Sequence, residues 1–212
     1  MLFRSLDVYR NVGTAQEFNF QLATGEFSLP PFNAWFLFVD LNGDGLLDLC
    51  TETGESQSYV RFYLNVGSVS NPIFTVLDSI IYDDLGNQVL GGQNSVPAFT
   101  DIDHDGDLDF FSVNSAGGTI NLYQNIGTTS NPIFHFVTDF WQGIQIIGGK
   151  KQNEKKHGAA ALRFCDLDGD GYNDMLYGDL FTQGMYYFHN QNDSMVLMTN
   201  HFPQNDPILS FR

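Results

Sequence analysis

The chain alternates short apolar runs with polar, glycine-containing stretches, and no segment sustains a helical period over a useful length. Trp35-Phe-Leu-Phe-Val39 and Pro97-Ala-Phe-Thr100 each run into an acidic stretch, which gives way to Leu46-Leu-Asp-Leu-Cys50 and Leu108-Asp-Phe-Phe-Ser-Val113. Aromatic and branched side chains bounded by Asp, Asn and Gly predict strands on both sides of a loop. A second marker, Tyr9-Arg-Asn11-Val-Gly13, recurs as Tyr63-Leu-Asn65-Val-Gly67 and Tyr123-Gln-Asn125-Ile-Gly127, and seven residues after each glycine stands Phe20, Phe74 or Phe134. Phe188-His-Asn190 is a weakened fourth copy. Asn-x-Gly predicts a strand ending in a turn; Asn71-Pro72 and Asn131-Pro132 predict extended backbone beyond it, with the phenylalanine returning to the core.

Each unit of roughly 60 residues thus reads strand, acidic loop, strand, short loop, strand, tight turn, strand. Four antiparallel strands joined by short connections make the blade of a β-propeller. The expected fold class is all-β, a partial β-propeller of about three and a half four-stranded antiparallel blades in one domain. Residues 1–28 supply the last two strands of a blade, 29–89 a whole blade, 90–157 another, and 158–212 a third with a degraded end.

The acidic stretches are Asp40-Leu-Asn42-Gly-Asp44-Gly45-Leu-Leu-Asp48, Asp101-Ile-Asp103-His-Asp105-Gly106-Asp-Leu-Asp109 and Asp166-Leu-Asp168-Gly-Asp170-Gly171-Tyr-Asn-Asp174, one spacing repeated at intervals of 61 and 65 residues. Side-chain oxygens at positions 1, 3, 5 and 9, with a backbone carbonyl at position 7, can surround a hard cation, and the glycine at position 6 permits the bend that turns the loop inward. Unit charges about 4 Å apart repel by roughly 1–4 kcal/mol per pair, so empty loops are expected to be strained, partly protonated or disordered. Calcium, with its variable all-oxygen coordination, suits such a site better than magnesium, and up to three ions are expected. An EF-hand is rejected because position 12 is Thr51, Ser112 or Tyr177 rather than glutamate, and the flanks are strands.

Composition narrows the partners. The net charge is −16, and 11 of the 25 acidic residues are the loop carboxylates, so acidity mostly reports the sites. Such a chain lacks the basic surface nucleic acid requires. Lys150, Lys151, Lys155 and Lys156 fall in a polar insertion, 148–158, that reads as a solvated loop. No apolar stretch reaches membrane-spanning length, and the first residues lack the apolar core of a signal peptide. Cys50 and Cys165 occupy non-equivalent positions and read as free, buried small residues.

With these loops, the Tyr-x-Asn-x-Gly turns and Gly-Thr-Thr-Ser-Asn-Pro-Ile-Phe at 127–134, the chain resembles the FG-GAP / VCBS repeat family, whose blades also build the integrin α-chain head. The resemblance covers nearly the whole chain. It implies a seven-bladed propeller, calcium in the loop joining the first two strands of a blade, and a secreted or cell-surface setting. Carried over position by position, the ligands are Asp40, Asn42, Asp44 and Asp48; Asp101, Asp103, Asp105 and Asp109; and Asp166, Asp168, Asp170 and Asp174. Leu46, Asp107 and Tyr172 contribute carbonyls. Seven blades need roughly 420 residues, so the sequence is expected to be a fragment of a longer protein, with self-association through exposed blade edges as an alternative.

The expected function is a non-enzymatic, calcium-stabilised propeller segment for extracellular recognition or adhesion, its ligand a protein or a glycan. The alternative is the scaffold of a carbohydrate-binding or carbohydrate-active protein. No hydrolase, metalloprotease, P-loop or dinucleotide signature is present. His104, His135, His157, His189 and His201 show no metal-ligand spacing, and His104 is expected to face solvent. Glu52, Glu55, Asp83, Asp84, Asp139 and Asp179 read as surface charges rather than a glycosidase pair. Phe20, Phe36, Phe38, Phe74, Phe99, Phe110, Phe111 and Phe134 read as core between blades; an exposed Trp141 or Tyr187 would favour a sugar platform.

Overall fold

The computed structural model describes residues 8–23, 35–52, 58–78, 80–92, 95–114, 117–146, 160–179 and 184–202. The lysine cluster, Glu55, His157 and the expected boundaries at 28/29 and 157/158 lie outside them. Wherever the apolar runs were read as strands, strands form. The first sheet contains β3 (Phe36–Val39), β4 (Asp48–Glu52), β5 (Val60–Asn65) and β6 (Phe74–Asp78), after a hairpin of β1 (Tyr9–Asn11) and β2 (Phe20–Leu22). The second contains β7 (Ala98–Thr100), β8 (Asp109–Asn114), β9 (Thr119–Asn125) and β10 (Phe134–Thr138); the third contains β11 (Ala160–Cys165), β12 (Asp174–Asp179), β13 (Met185–Asn190) and β14 (Met195–Phe202). Each sheet is an antiparallel meander in chain order. A 3-10 turn at Trp141–Gly143 is the one helical element among the described residues, so no described helix is long enough to cross a membrane.

The sheets pack face to face, which explains why the second strands β4 and β8 are buried almost without interruption instead of alternating. Phe110 and Phe111, neighbours on β8, point to opposite faces. Phe110 joins Cys50, Val60, Phe62, Tyr123 and Phe134 between the first and second sheets. Phe111 joins Val113, Leu122, Leu162, Met175 and Tyr177 between the second and third. Ring pairs lock both layers: Phe62 lies 6.0 Å from Phe99, and Phe111 lies 4.7 Å from Phe164. The first strands of the second and third sheets run side by side, since Val96, just before β7, bridges Ala161 in parallel and its N–H donates to the Ala160 carbonyl at 2.7 Å. The described sheets make an open run rather than a closed ring.

The connectors between sheets carry core that the strand pattern did not reveal. Ile81 and Val89, on a small hairpin bridged at Tyr82 and Gln88, close one layer, and Trp141, Ile144 and Ile146 close the other. Trp141 is therefore buried and not a surface platform.

Several expectations are corrected. Phe20 is 61% exposed and Phe38 42% exposed, because no described sheet covers their faces. Cys50 and Cys165 are both free, but Cys165 is only half-buried. Glu52, Asp83 and Asp179 are buried rather than surface charges. Asp83 shows the reason: its Oδ1 accepts from the Leu85 and Asn87 N–H groups at 3.0 and 2.7 Å, building the connector turn. Burial raises its pKa, but hydrogen bonds from the Asn87 side chain and these N–H groups outweigh that, so the net shift is downward.

Candidate metal centres

Each acidic loop joins the first two strands of its sheet, and its backbone closes on its own carboxylates. Asp40 accepts from the Asp44 and Gly45 N–H groups at 3.1 and 2.9 Å. Asp101 accepts from Asp105 and Gly106 at 3.2 and 3.0 Å, and Asp166 from Asp170 and Gly171 at 3.2 and 3.0 Å. The third position accepts the same N–H of the fifth residue: Asn42 at 3.1 Å, Asp103 at 3.4 Å and Asp168 at 3.2 Å. The fifth accepts the N–H of the seventh, Leu46, Asp107 or Tyr172, at 2.8, 3.1 and 2.9 Å. The sixth-position glycines Gly45, Gly106 and Gly171 have φ of 85°, 96° and 93°, with open space around them, so the backbone conformation demands glycine rather than the room. Position 4 is also left-handed, at Gly43, His104 and Gly169, which the spacing alone did not reveal. His104 is exposed as expected, edge-on to Tyr172.

The ninth residue is the anchor. Asp48, Asp109 and Asp174 are at most 1% exposed. One oxygen accepts from the second loop residue (Leu41, Ile102 or Leu167 at 2.9, 3.0 and 3.2 Å), and the other from the asparagine ending the third strand (Asn65, Asn125 or Asn190, each at 2.8 Å). The two recurring sequence markers are thus one structural device. Asn65 and Asn125 use their own Oδ1 to hold the next turn, accepting from Gly67 and Ile73, and from Gly127 and Ile133, within 3.1 Å. Asn11 does the same with Gly13 and Asn19. The fourth copy departs: Asn190 Oδ1 is buried without a described partner, and a tight turn through Asn192 and Asp193, both at positive φ, replaces the longer one.

Charge accumulates in the second loop. Oxygens of Asp101, Asp103 and Asp109 lie within 4.8 Å of one another. Burial, then the neighbouring carboxylates Asp103 and Asp105, push Asp109 up to about 6 against two backbone N–H groups that pull it down. Asp107 is raised to about 6 by burial and by Asp105 and Asp103, and its Oδ1 is buried without a described hydrogen-bond partner. Asp48 is raised chiefly by burial. In the first loop Asp40, Asp44 and Asp48 do not converge as closely, and the Asn42 amide donates to Asp44 Oδ2 at 3.1 Å.

The third loop is arranged differently. Asp166, Asp168 and Asp170 form one close set, and Asp168, Asp174 and His189 form another. Asp166 is lowered, first by the Gly171 N–H. His189 Nδ1 lies 3.0 Å from Asp174 Oδ1 and 3.4 Å from Asp168 Oδ2, and its pKa is raised, first by the hydrogen bond to Asp174. The Tyr187 hydroxyl donates to Asp174 Oδ2 at 3.1 Å, and burial with Asp174 raises its pKa. His189, which shows no metal-ligand spacing in the sequence, therefore lies among the carboxylates of the third loop. Only the strand register places it there: β13 brings back to the loop a residue 15 positions beyond Asp174. Gln124, the equivalent residue of the second sheet, donates to Asp103.

These loops recur one per sheet, and the repeat has a known counterpart. Residues 101–177 match the FG-GAP-like repeat family. No curated protein matches the chain. The FG-GAP-like repeat here begins at the first residue of the second loop and closes at the twelfth of the third, so the match spans one full period from loop to loop. The meander sheets packed in series agree with propeller-like blades. Outside the loops, Asp84 pairs with His135 at 2.9 Å, and no described group of three metal-capable residues forms there.

Proposed function

We propose that this chain is the calcium-binding β-propeller region of a secreted or cell-surface protein, one part of a longer seven-bladed ring, in which calcium is structural. Recognition of an extracellular protein or glycan then falls to the other loops of the disc. The observation that carries this reading is the second loop. Oxygens of Asp101, Asp103 and Asp109 gather within 4.8 Å around a buried carboxylate already held by two backbone N–H groups. The donor set is all oxygen, the buried Asp109 carboxylate resists ionisation, and Asp107 Oδ1 is orphaned, so a hard divalent cation fits. Asp101, Asp103, Asp105 and Asp109 would hold it, as would Asp40, Asn42, Asp44 and Asp48 in the first loop and Asp166, Asp168 and Asp170 in the third. Calcium would neutralise the charge that the folded loop concentrates. Extracellular calcium is abundant, so affinities of about 10⁻⁴ to 10⁻³ M suffice.

The test is the melting of the full chain in calcium and in chelator. A higher melting temperature in calcium, with the gain reduced in Asp103→Ala, is expected. Equal melting in both conditions rules out the structural role.

A further inference from the structure

The third loop carries a donor that the other two lack. His189 stands immediately before the asparagine that ends the third strand, where the first and second sheets have Leu64 and Gln124. Tyr187, two residues earlier on the same face, stands where those sheets place Phe62 and Leu122, both buried in apolar core. A polar pair thus replaces an apolar or amide pair at one loop of three, and both members meet the same buried carboxylate. Asp174 receives the Tyr187 hydroxyl at 3.1 Å on Oδ2 and His189 Nδ1 at 3.0 Å on Oδ1, with Asp168 Oδ2 at 3.4 Å from the same imidazole nitrogen.

The separations suit a smaller cation than calcium. In a tetrahedral site with bonds of about 2.0–2.1 Å, donor atoms lie about 3.3–3.4 Å apart. The imidazole-to-carboxylate distances of 3.0 and 3.4 Å bracket that value, and the three donors all lie within 4.8 Å of one another. Imidazole is a poor ligand for calcium and a good one for zinc, cobalt and nickel. Three protein donors leave a fourth position open to water, and a hydroxyl bonded to the ligating carboxylate is the usual orienting contact of such sites.

We propose that the third loop binds a borderline divalent transition-metal ion through Asp168, Asp174 and His189, with Tyr187 positioning Asp174. Binding displaces the proton shared by His189 and Asp174 to solvent. Because Asp168 also belongs to the oxygen-only set with Asp166 and Asp170, occupation by such an ion and by calcium at this loop compete. The proposal stands whether or not calcium fills the first two loops.

The test uses the full chain stripped with chelator, dialysed, and titrated with Co²⁺ alone. One equivalent is expected to develop the visible absorption of a four-coordinate site, which Zn²⁺ then bleaches. His189→Leu and His189→Gln, the residues of the sister sheets, are expected to abolish that absorption, and Tyr187→Phe to weaken Co²⁺ affinity about tenfold or more. The calcium-dependent rise in melting should survive in His189→Leu, which separates this proposal from the calcium reading. A second measurement needs no variant: Zn²⁺ should shield His189 of the unaltered chain from diethylpyrocarbonate, mapped by peptide mass spectrometry, while the exposed His104 and His201 stay reactive. Absence of the cobalt band, the same band in His189→Leu, or unshielded His189 overturns the proposal and leaves His189 as an ion-pair partner of Asp174.

Discussion

The second and third acidic loops share a backbone and differ in how their buried carboxylate is satisfied. Corresponding hydrogen bonds along the two loops match to about 0.2 Å, and Asp109 and Asp174 bind equivalent N–H groups. An ionised carboxylate has about four lone-pair sites. In both loops the backbone takes two, which is what folds the loop. In the second loop the described partners end there, and the carboxylate is pushed up to about 6 by burial and by its acidic neighbours. In the third, Tyr187 and His189 take the rest. The folding role of the ninth residue is therefore constant while its capacity for a ligand is set by the facing strand, and one spacing does not guarantee one site.

The strongest test of this comparison is to remove the anchor. Asp109→Ala strands the buried N–H groups of Ile102 and Asn125 and is expected to cost roughly 3 kcal/mol or more, in calcium or in chelator, by chemical denaturation. Asp109→Asn sharpens the contrast: it should harm the chain more in calcium than in chelator, whereas Asp174→Asn should be harmful in both because its internal partners are lost either way. Next in size is calcium itself. At calcium 10 to 100 times the dissociation constant, each filled site adds about 1.4–2.7 kcal/mol, and Asp103→Ala should remove one such share by calorimetry.

An effect of comparable size comes from protons. Asp107 and Asp109 keep their protons to about pH 6 in the folded chain, whereas an unfolded aspartate loses its own near pH 3.9, so between these values the folded state binds more protons. In chelator, stability should then fall as pH rises from about 4 to 6, and calcium should reverse the slope. A chelated chain that melts higher at pH 7 than at pH 5 would contradict this electrostatic account of the second loop. The least effect is expected from His104→Gly. It relaxes a φ of 62° at a position where the sister loops have glycine, and should stabilise by up to about 1 kcal/mol, less whatever its contacts with Tyr172 and Asp193 contribute.

Much of this was legible because the motifs are local. The loops, their sixth-position glycines and the order of strands follow from spacings of a few residues, and Phe110-Phe111 announces a strand buried on both faces. What escaped depends on register between strands. The bond from Asp109 to Asn125 spans 16 residues, and nothing in either motif names the other as its partner. His189 faces a metal-capable cluster only because β12 pairs with β13 in the observed alignment. The misplaced phenylalanines fail for a complementary reason: Phe20 and Phe38 carry the right chemistry for a core, but burial also requires an opposing sheet. Asp83 departs from the surface expectation because a turn can bury a carboxylate by surrounding it with N–H groups.

The bond between the ninth loop residue and the asparagine beyond it has a consequence for protein engineering. Transplanting the acidic segment alone into a foreign hairpin would sever its far attachment and leave a buried charge with half its support. The smallest portable cassette runs from the first aspartate through that asparagine, 26 residues in the first sheet and 25 in the second, and the link that fastens it spans 17 residues in one and 16 in the other. That one-residue difference marks the hairpin between the second and third strands as the place where length can vary without loosening the grip.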